Sequence, residues 1–562
     1  MRSQQFFSHT LLLSVYLFAG IATNAQQQID AWWPVQAKPR AIVVCEPAGH
    51  VRDMNLAQSL AGLAALSLNE GKKGEAVWIK HERGLYETYY QQLLKRTGLK
   101  QTASLSTWDL VKRFRKQGIV QGYILYDIQQ ADNHINVATV YASLLHGVLI
   151  DVKQEAKAKA AGLSLLQDAR KLNWTDSLYD QLSPRLNDSL IVIAQPGYPN
   201  NRDYAIAHRA MVYYGVDSLF NRALKRIRPL SPVIGWNKGD EFKQIAPCTR
   251  EGLMNTASDW CMNLAVLSID ADKFIPKQLT RLDPATINWK DTGRFHSFVM
   301  SDGDNMQWTM GHFLDDKEYW SNPTVSSTRL SFTSCVLNLT QAAPDVYEEL
   351  RRTQQPHSTV VEYGGGYYYP DLFAIDRPGR DSLLREYAAR INSRMKSTGT
   401  TVFGFICKNV NSKDAQRAYQ LYAEEIEGLT GMIAVQYSPY NGGQGKIYWV
   451  KNKKGVEIPV VTAHYQLWAN LTKKGSGDPA TVASLINQPE DKKMRFDWTI
   501  VHAWSKFSKD ATPPATRGAE PVKWCVDKLD NTASVVNIEE LLWRIRMEHN
   551  PEQTQKVIKE KL

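Results

Sequence analysis

The sequence is poor in cysteine, and its cysteines form no recognisable metal-binding pattern. Six cysteines occur in 562 residues, with no CxxC pair and no cluster of Cys and His. The usual zinc spacings are therefore excluded. Apolar, strand-like runs surround Cys45, Cys335 and Cys407, which predicts small buried thiols. Cys248 and Cys261 lie in polar, irregular sequence and are candidates for a disulfide bond.

Signals for binding nucleotides or nucleic acids are also missing. No GxGxxG or GxxxxGKS/T motif follows a strand-like run. The formal net charge is +10 at pH 7, but the excess lysines are spread in small groups at 451–454, 473–474 and 492–493. A nucleic-acid-binding protein would have one dense basic face or a known module. The sequence thus predicts solvated surface lysines and no nucleic-acid partner.

Apart from the N-terminus, the sequence has no uncharged apolar run of the roughly 20 residues that a membrane span requires. Residues 1–25 have the layout of a cleavable signal peptide, with a positive Arg2, an apolar segment over 11–22 and a small residue, Ala25, at the end. No cysteine follows the apolar segment, so a lipoprotein anchor is not expected. The sequence predicts an exported, soluble protein of the periplasm or the extracellular space, with no membrane span.

The region 30–270 alternates strand-like and helical patterns. The predicted strands are Ala41–Val44, Gly122–Tyr126, Val148–Asp151, Leu190–Ala194 and Val233–Trp236, with helices at about 57–69, 105–117, 154–171 and 205–227. Such alternation indicates a mostly parallel sheet covered by helices on both faces. We therefore expect an N-terminal α/β sandwich-type domain. Residues 271–290 lack periodicity and are interpreted as a linker.

The region 291–562 has more regularly spaced apolar runs. They begin at Phe295, Thr328, Ser358, Thr401, Met432, Ile458, Trp498 and Ser534. A strand–helix–strand unit takes roughly 30 residues, which is close to these separations. The pattern predicts a C-terminal (β/α) barrel of seven or eight strands. Because the last run is weak, a distorted barrel also fits, and an open doubly wound sheet is the alternative.

Polar and aromatic loops follow six of these predicted strands. In parallel α/β folds the working residues lie on loops at the carboxyl ends of the strands. Carboxylates mixed with Trp and Tyr are typical of a sugar site, since aromatic rings stack on sugar faces and carboxylates bind hydroxyls. The loops are Ser301–Trp308, Glu362–Asp371, Lys408–Asn409, Ser438–Gly443, His464–Trp468 and His502–Trp504.

One of these loops carries a family motif. Residues 364–370, GGGYYYP, match GxGYxYP, and the chain resembles the GxGYxYP putative glycoside hydrolase family over essentially its whole mature length. The SDGDN segment at 301–305, the VHAW segment at 501–504 and the stretch from Trp236 to Glu241 are similar to that family as well. The resemblance implies carbohydrate processing in bacteria. It brings no catalytic assignment, and Glu362-Tyr363 replaces the smaller residues expected before the motif.

Glycoside hydrolysis usually needs two carboxyl groups that bracket the scissile bond. The predicted catalytic candidates are Asp302 and Asp304 from one loop and Glu362 and Asp371 from another. Nearby aromatic rings would desolvate one carboxyl and raise its pKa, as an acid catalyst requires. An Asp-Gly-Asp turn that caps a helix is the alternative interpretation, above all for Asp304. The predicted substrate-binding residues are Asn305, Trp308, Gly366, Tyr367, Tyr369, Lys408, His464, His502 and Trp504, with Trp236 and Glu241 added by the family resemblance.

Two other functions remain open from the sequence. In a metal-dependent carbohydrate deacetylase, Asp302 or Asp304 together with His464 and His502 would bind a divalent ion and activate water. In a non-catalytic glycan-binding protein, the aromatic loops would only hold a sugar. The sequence requires no cofactor, although a divalent metal near Asp302 and Asp304 is compatible with it. Carbohydrate is the expected partner, and no motif indicates an oligomeric state.

Overall fold

The N-terminal half contains three separate parallel sheets. A computed structural model describes residues 31–491, 493–510 and 512–561 of the chain, so the predicted signal peptide at 1–25 lies outside the described residues. The strands are β1 (Ala41–Glu46), β2 (Glu75–Ile79), β3 (Gln101–Ser106), β4 (Gly122–Tyr126), β5 (Gly147–Asp151), β6 (Leu165–Asp168), β7 (Ile191–Ile193), β8 (Met211–Tyr213), β9 (Pro232–Ile234) and β10 (Met254–Thr256). They pair in the orders β2-β1-β3, β5-β4-β6 and β10-β9-β7-β8.

In the N-terminal half the predicted alternation of strands and helices and the parallel pairing of the strands are confirmed. The expected single sheet, however, is divided into three. Local periodicity indicates a strand without indicating its neighbour, because pairing depends on packing between distant segments. Two predicted helices are also wrong in part. The range 205–227 contains β8, a buried run of apolar and β-branched residues between two helices, and the range 154–171 contains β6.

The α-helices of the described residues have the following bounds. They are α1 (Val51–Asn69), α2 (Tyr86–Thr97), α3 (Thr107–Lys116), α4 (His134–Leu145), α5 (Glu155–Ala160), α6 (Asp176–Leu182), α7 (Arg202–Ala207), α8 (Ser218–Arg226), α9 (Glu241–Arg250), α10 (Leu264–Leu267), α11 (Met306–Trp308), α12 (Thr324–Ser327), α13 (Val336–Ala342), α14 (Pro344–Thr353), α15 (Arg380–Thr398), α16 (Lys413–Glu425), α17 (Pro479–Asn487), α18 (Ala519–Val526), α19 (Ile538–His549) and α20 (Pro551–Lys561). In the described part of the chain, no helix combines the length and the apolar character needed to cross a bilayer.

The C-terminal half is organised around one large curled sheet. Its strands, together with the separate antiparallel hairpin β21–β22, are β11 (Arg294–Met300), β12 (Ser331–Ser334), β13 (Val360–Glu362), β14 (Val402–Cys407), β15 (Gly431–Gln436), β16 (Ile447–Lys451), β17 (Glu457–Thr462), β18 (Tyr465–Leu467), β19 (Ser476–Gly477), β20 (Phe496–Val501), β21 (Phe507–Lys509), β22 (Thr512–Thr516) and β23 (Ala533–Val535). The sheet order is β16-β17-β15-β14-β13-β12-β11-β20-β18-β19, and β23 pairs with β11.

The curl of this sheet is visible in its pairing. Strand β17 pairs with β15, whereas β18, which follows after only Ala463 and His464, pairs with β20. Ala463 N–H donates to Ala434 O (3.1 Å) and His464 N–H to Trp498 O (3.0 Å), so adjacent residues bond to strands far apart in the sheet order. Strand β16 is antiparallel and was not predicted. A closed barrel remains a prediction, while the parallel strand–helix succession is observed.

The first described residues pack onto the C-terminal half. The indole N–H groups of Trp32 and Trp33 both donate to Asn338 Oδ1, at 2.9 and 3.0 Å. The Trp32 ring also packs edge-on against Tyr387, with ring centroids 5.6 Å apart. The start of the described chain is therefore joined directly to the C-terminal half, in addition to the connection through the stretch 271–290.

All six cysteines are described, and each is a buried free thiol. Cys248 and Cys261, the candidate pair for a disulfide, are therefore not bonded to each other. Cys248 lies in α9, and both side chains are fully shielded from solvent in the hydrophobic core. Polar neighbours in the sequence, such as Thr249, Ser258 and Asn263, are buried with them, which the local composition does not reveal.

Candidate active site

A cavity of about 240 Å³ opens between the two halves of the chain, at the end of β11. Three of its lining residues come from the N-terminal half and the others from strand ends of the curled sheet. They are Trp236, Glu241, Trp260, Ser301, Asp302, Asp304, Asn305, Gln307, Trp308, Tyr363, Tyr367, Ile406, Tyr440, Ile500 and Trp504. The structure thus brings together eight of the predicted site residues.

The Asp302-Gly303-Asp304 turn is fixed by close backbone contacts. Asp302 has a left-handed φ of 69°, and its carbonyl accepts a hydrogen bond from Asn305 N–H at 3.0 Å. Gly303 N–H donates to Thr333 Oγ1 (3.0 Å), and a Cβ at position 303 would lie 1.5 Å from Thr333 O. Only glycine allows the turn to approach β12 so closely. The loop therefore holds its two carboxyl groups on a rigid base.

The Asp302 carboxylate accepts hydrogen bonds from two neighbouring side chains. Trp504 Nε1–H donates to Oδ1 at 3.0 Å, and the Ser301 hydroxyl donates to Oδ2. The Trp504 ring also contacts Trp308, with centroids 4.9 Å apart. Two donors therefore hold the Asp302 carboxylate in a fixed orientation at the cavity wall.

Asp304 lies deeper than Asp302 and is only 9% exposed. Burial is the main cause that raises its pKa to about 8, and the negative charges of Asp302 and Glu241 raise it further. The alternative that Asp304 caps a helix is not supported, because α11 begins after Asn305 and no described side chain caps it. Asp304 is therefore a carboxylic acid near neutral pH, facing the cavity.

Glu241 is the first residue of α9 and faces the cavity from the N-terminal half. The Tyr367 hydroxyl donates a hydrogen bond to its Oε1. Burial raises the pKa of Glu241 to about 7; the Tyr367 hydrogen bond opposes this rise, and the charges of Asp302 and Asp240 add to it. The residue was predicted only to bind substrate, yet it is the third carboxyl group of the cavity.

The GxGYxYP loop holds Tyr367 in place. Gly364 and Gly365 have φ values of 78° and 69°, and a Cβ at Gly365 would lie 2.6 Å from the Trp32 ring. Tyr367 then exchanges backbone hydrogen bonds with Asn255, at 2.6 and 3.1 Å. The loop is thereby joined to the N-terminal half next to β10. Glycine is required here both for the left-handed backbone and for the close packing.

Two residues of the same loop lie behind the cavity wall. Gly366 has a φ of 144°, and a Cβ there would lie 3.0 Å from Met254 Cβ. The Tyr369 hydroxyl lies 3.4 Å from that of Tyr367. Neither residue lines the cavity, so both position Tyr367 rather than contact a ligand there.

The structure does not bring Glu362 and Asp371 to the cavity. Glu362 is fully buried and accepts hydrogen bonds from Gly365 N–H (2.7 Å) and Leu337 N–H (3.2 Å). Asp371 accepts from the N–H groups of Lys408 and Asn409, at 2.9 and 2.8 Å. Burial raises the pKa of both carboxyl groups, to about 8 for Glu362. They hold loop backbone in place.

Lys408 and the two histidines are also outside the cavity lining. The Lys408 ammonium lies 4.3 Å from the centroid of the Phe242 ring. His464 bonds to the buried Asp497 at 3.2 Å and lines a different cavity. His502 bonds to Ser505 Oγ at 2.9 Å. Its ring is stacked on Trp468, and burial lowers its pKa although Asp302 opposes the shift.

Comparison with known proteins places the chain in a family. The GxGYxYP putative glycoside hydrolase C-terminal domain matches residues 294–546. The GxGYxYP third domain matches 188–269, and the GxGYxYP_N second domain matches 120–186. Together these matches span well over half of the sequence. The chain belongs to the GxGYxYP family. The resemblance carried by the motif at 364–370 is thereby confirmed.

The GxGYxYP fold is also present in a solved structure. A putative hydrolase from Bacteroides thetaiotaomicron VPI-5482 aligns with a TM-score of 0.76 and 20% sequence identity, over 91% of this chain and 96% of that one. At this identity the likeness shows a shared fold. No curated protein matches the chain. The second and third GxGYxYP domains correspond to the sheets β4–β6 and β7–β10 described above.

Seven residues of this GxGYxYP cavity were not among the predicted site residues. Four belong to loops whose polar character was noticed, and their positions at strand ends were the available signal: Ser301, Gln307, Tyr363 and Tyr440. Ile406 and Ile500 are ordinary apolar strand residues. Trp260, which is 41% exposed, comes from an irregular loop of the N-terminal half and had no sequence signal at all.

The described residues contain no group of three or more His, Cys, Asp or Glu side chains arranged to hold a metal ion. The ligand set considered for a deacetylase is not assembled, because His464 faces another cavity and is bonded to Asp497. The carboxyl groups of Asp302, Asp304 and Glu241 are instead surrounded by aromatic rings.

Proposed function

We propose that this protein is a glycoside hydrolase and that it cleaves its substrate in the cavity at the end of β11. The observation that supports this most strongly is the placement of Glu241 and Asp302, from opposite halves of the chain, on one aromatic-lined cavity. Two carboxyl groups on opposite sides of a sugar are what glycoside hydrolysis requires. The name of the family agrees with this reaction, although fold and family alone do not establish a function.

The environments of the two groups suggest their roles. Asp302, oriented by hydrogen bonds from Trp504 and Ser301, is the carboxylate that attacks the anomeric carbon or activates water. Glu241, whose pKa is raised to about 7 by burial, is the general acid that protonates the departing oxygen. Carboxyl groups in different surroundings divide acid and base work in this way.

Asp304 has a different role in this proposal. It shares a turn with Asp302, so these two residues approach a sugar from the same side. With a pKa raised to about 8, mainly by burial, Asp304 is protonated at neutral pH. It therefore binds a sugar hydroxyl and adds little negative charge beside the reacting carboxylate.

Aromatic rings supply the remaining walls. Trp236 and Tyr367 are stacked with their ring centroids 6.3 Å apart, and Trp260 is partly exposed at the mouth of the cavity. Such rings bury the apolar faces of a sugar while the carboxyl groups bind its hydroxyls. They also exclude water, which strengthens the electrostatic interactions with the transition state.

The proposal includes export and a barrel scaffold. The signal-like segment 1–25 supports work outside the cytoplasm on a glycan. The passage of adjacent residues from β15 to β20 supports a closed, distorted (β/α) barrel in which the cavity lies at the carboxyl ends of the strands. N-terminal sequencing of the protein secreted by its host would test the predicted cleavage after Ala25.

The roles of Glu241 and Asp302 can be separated with glycosides whose leaving groups differ in how much they need a proton to depart. Glu241→Gln should lower kcat/KM on 4-nitrophenyl and natural glycosides by at least about a hundredfold. It should affect 2,4-dinitrophenyl glycosides much less, because such a group departs without a proton. Asp302→Asn should abolish turnover of both. Glu490→Gln, with a side chain 74% exposed beside Lys474, is the control and should match the parent protein. Full activity of both cavity variants would refute the proposal.

A further inference from the structure

The cavity is lined by acidic side chains although the chain as a whole is basic. Three carboxyl groups are among the described lining residues, and no Lys, Arg or His is. The net charge of the whole chain is +10. A charged ligand in the cavity therefore meets acidic groups without a neighbouring cation, and desolvation by the aromatic walls strengthens its interaction with any of them that is ionised.

Two arginine side chains pack on rings that line the cavity without lining it themselves. Arg517 is paired with Glu318 at 2.6 Å while it lies over the Trp504 ring. Arg83 lies over the ring of Trp260, 5.3 Å from its centroid. Neither guanidinium lines the cavity, so a negatively charged ligand would find no partner of opposite charge at the depth of Asp304.

Two side chains at the bottom of the cavity, Gln307 and Asp304, have acceptor oxygens to which no other described side chain donates. Gln307 Oε1 is buried and has no partner. Among the described residues, no other side chain donates a hydrogen bond to the Asp304 carboxyl group, which is raised in pKa chiefly by burial. The hydroxyls of Tyr363 and Tyr440 can donate or accept. An ammonium group brings three donors and no acceptor, whereas a carboxylate brings acceptors alone.

We infer that the cavity selects sugars by charge: among sugars of one configuration it binds the unit with a free amino group best, the neutral hexose less well, and excludes the hexuronic acid. This inference rests on the proposed function for its site and names the substrate class of that site. A uronate would bring a fourth carboxyl group into a cavity that no described cation lines, and like charges placed together inside a binding site are strongly disfavoured. An ammonium group would instead pair with the carboxyl groups of the cavity.

A matched panel of monosaccharides tests the order of binding. Glucosamine, glucose and glucuronate form one set, and the galactose and mannose series form two more. Saturation-transfer NMR or calorimetry on the full-length mature protein is run at about pH 6.5, where the sugar amines are protonated and the uronates ionised. In at least one series the hexosamine should bind at least about tenfold more tightly than the hexuronate. Equal or tighter binding of the uronate in every series would overturn the inference, as would no binding in any series.

A substitution at Gln307 separates charge from shape. Gln307→Lys introduces a cation beside the unpaired acceptors, and it should remove the preference for the hexosamine and allow the hexuronate to bind. Gln307→Met, of similar length and without charge, should keep the original order. If both variants keep the parent order, the charge of the cavity does not determine selection and the inference fails.

Failure of this inference differs from failure of the proposed hydrolysis. Ordered binding without turnover of any glycoside would refute hydrolysis and leave the charge selection standing. Turnover of a 4-nitrophenyl hexuronide as fast as that of the matched hexosaminide would refute the selection and leave hydrolysis standing.

Discussion

The hydrogen bond between Tyr367 and Glu241 allows the proposed acid to be tested through pH. Tyr367→Phe removes the hydroxyl that donates to Glu241 Oε1 and keeps the ring that lines the cavity. This hydrogen bond lowers the pKa of Glu241, against the larger effect of burial that raises it to about 7. The substitution should therefore raise the pKa of Glu241 further.

The size of the shift follows from the energy of the lost contact. A hydrogen bond to a charged group contributes about 1.5–3 kcal/mol, and one pKa unit corresponds to about 1.4 kcal/mol. Glu241 is only half-buried, so water will replace part of the lost hydrogen bond. We expect a rise of about one pKa unit.

The pH profile of kcat/KM shows in which direction the pKa of Glu241 has moved. A general acid must be protonated, so activity should be present below the pKa of Glu241 and should be lost as pH rises through about 7. In Tyr367→Phe this alkaline limb should move to higher pH by about one unit. The matched control is Tyr369→Phe, since the Tyr369 hydroxyl lies 3.4 Å from that of Tyr367 and, unlike it, does not hydrogen-bond to Glu241.

Two results would contradict this reasoning. If the alkaline limb stays in place in Tyr367→Phe while carbon NMR shows that Glu241 itself has shifted, then Glu241 is not the acid. If the limb moves equally in Tyr369→Phe, the shift arises from general loosening of the loop and not from the lost hydrogen bond.

Three further predictions concern the Asp302 turn. Asp304→Asn should raise the melting temperature little near pH 4 and progressively more up to about pH 8. In this range the folded protein must keep Asp304 protonated, with a pKa near 8, while the unfolded chain ionises it, which destabilises the parent protein. An equal gain at every pH would contradict this. Gly303→Ala should lower the urea midpoint by the equivalent of more than about 3 kcal/mol of unfolding free energy, since its Cβ would overlap the backbone of Thr333. Gly197→Ala is the control and should leave the midpoint in place, because a Cβ there has nothing within 4 Å. Similar midpoints for the two variants would refute the close contact at Gly303. Trp504→Phe should reduce kcat/KM about ten- to hundredfold by removing the 3.0 Å hydrogen bond to Asp302; an unchanged kcat/KM would refute that role.

The location of the cavity at the end of β11 was predictable because it depends on chain topology. Parallel strands end at one edge of a sheet, so the loop at Ser301–Trp308 and the loop after β20 were expected to meet. The structure brings Asp302 and Trp504 within a hydrogen bond of each other, although they are about 200 residues apart in sequence. The family motif added the Tyr367 loop to the same neighbourhood.

The roles of individual carboxyl groups were not predictable from the sequence. Glu362 and Asp371 have the same residue types and loop positions as catalytic groups, yet their oxygens accept backbone N–H groups inside the protein. Successive side chains along a strand point to opposite faces, so a shift of one position changes whether a residue faces the cavity. Glu241 reaches the cavity only because α9 of the N-terminal half packs against the GxGYxYP loop, a contact that no local pattern encodes.

The packing of Trp32 and Trp33 has a consequence for the order in which the chain folds. Their common acceptor, Asn338, lies 306 and 305 residues further along the chain. During synthesis these two tryptophans emerge long before their partner exists, and closing so long a loop is slow. They should remain accessible at least until Asn338 and Tyr387 have been made. Their burial therefore follows the synthesis of the first part of the C-terminal half, and exposure of these two side chains would mark a chain whose two halves have not yet docked.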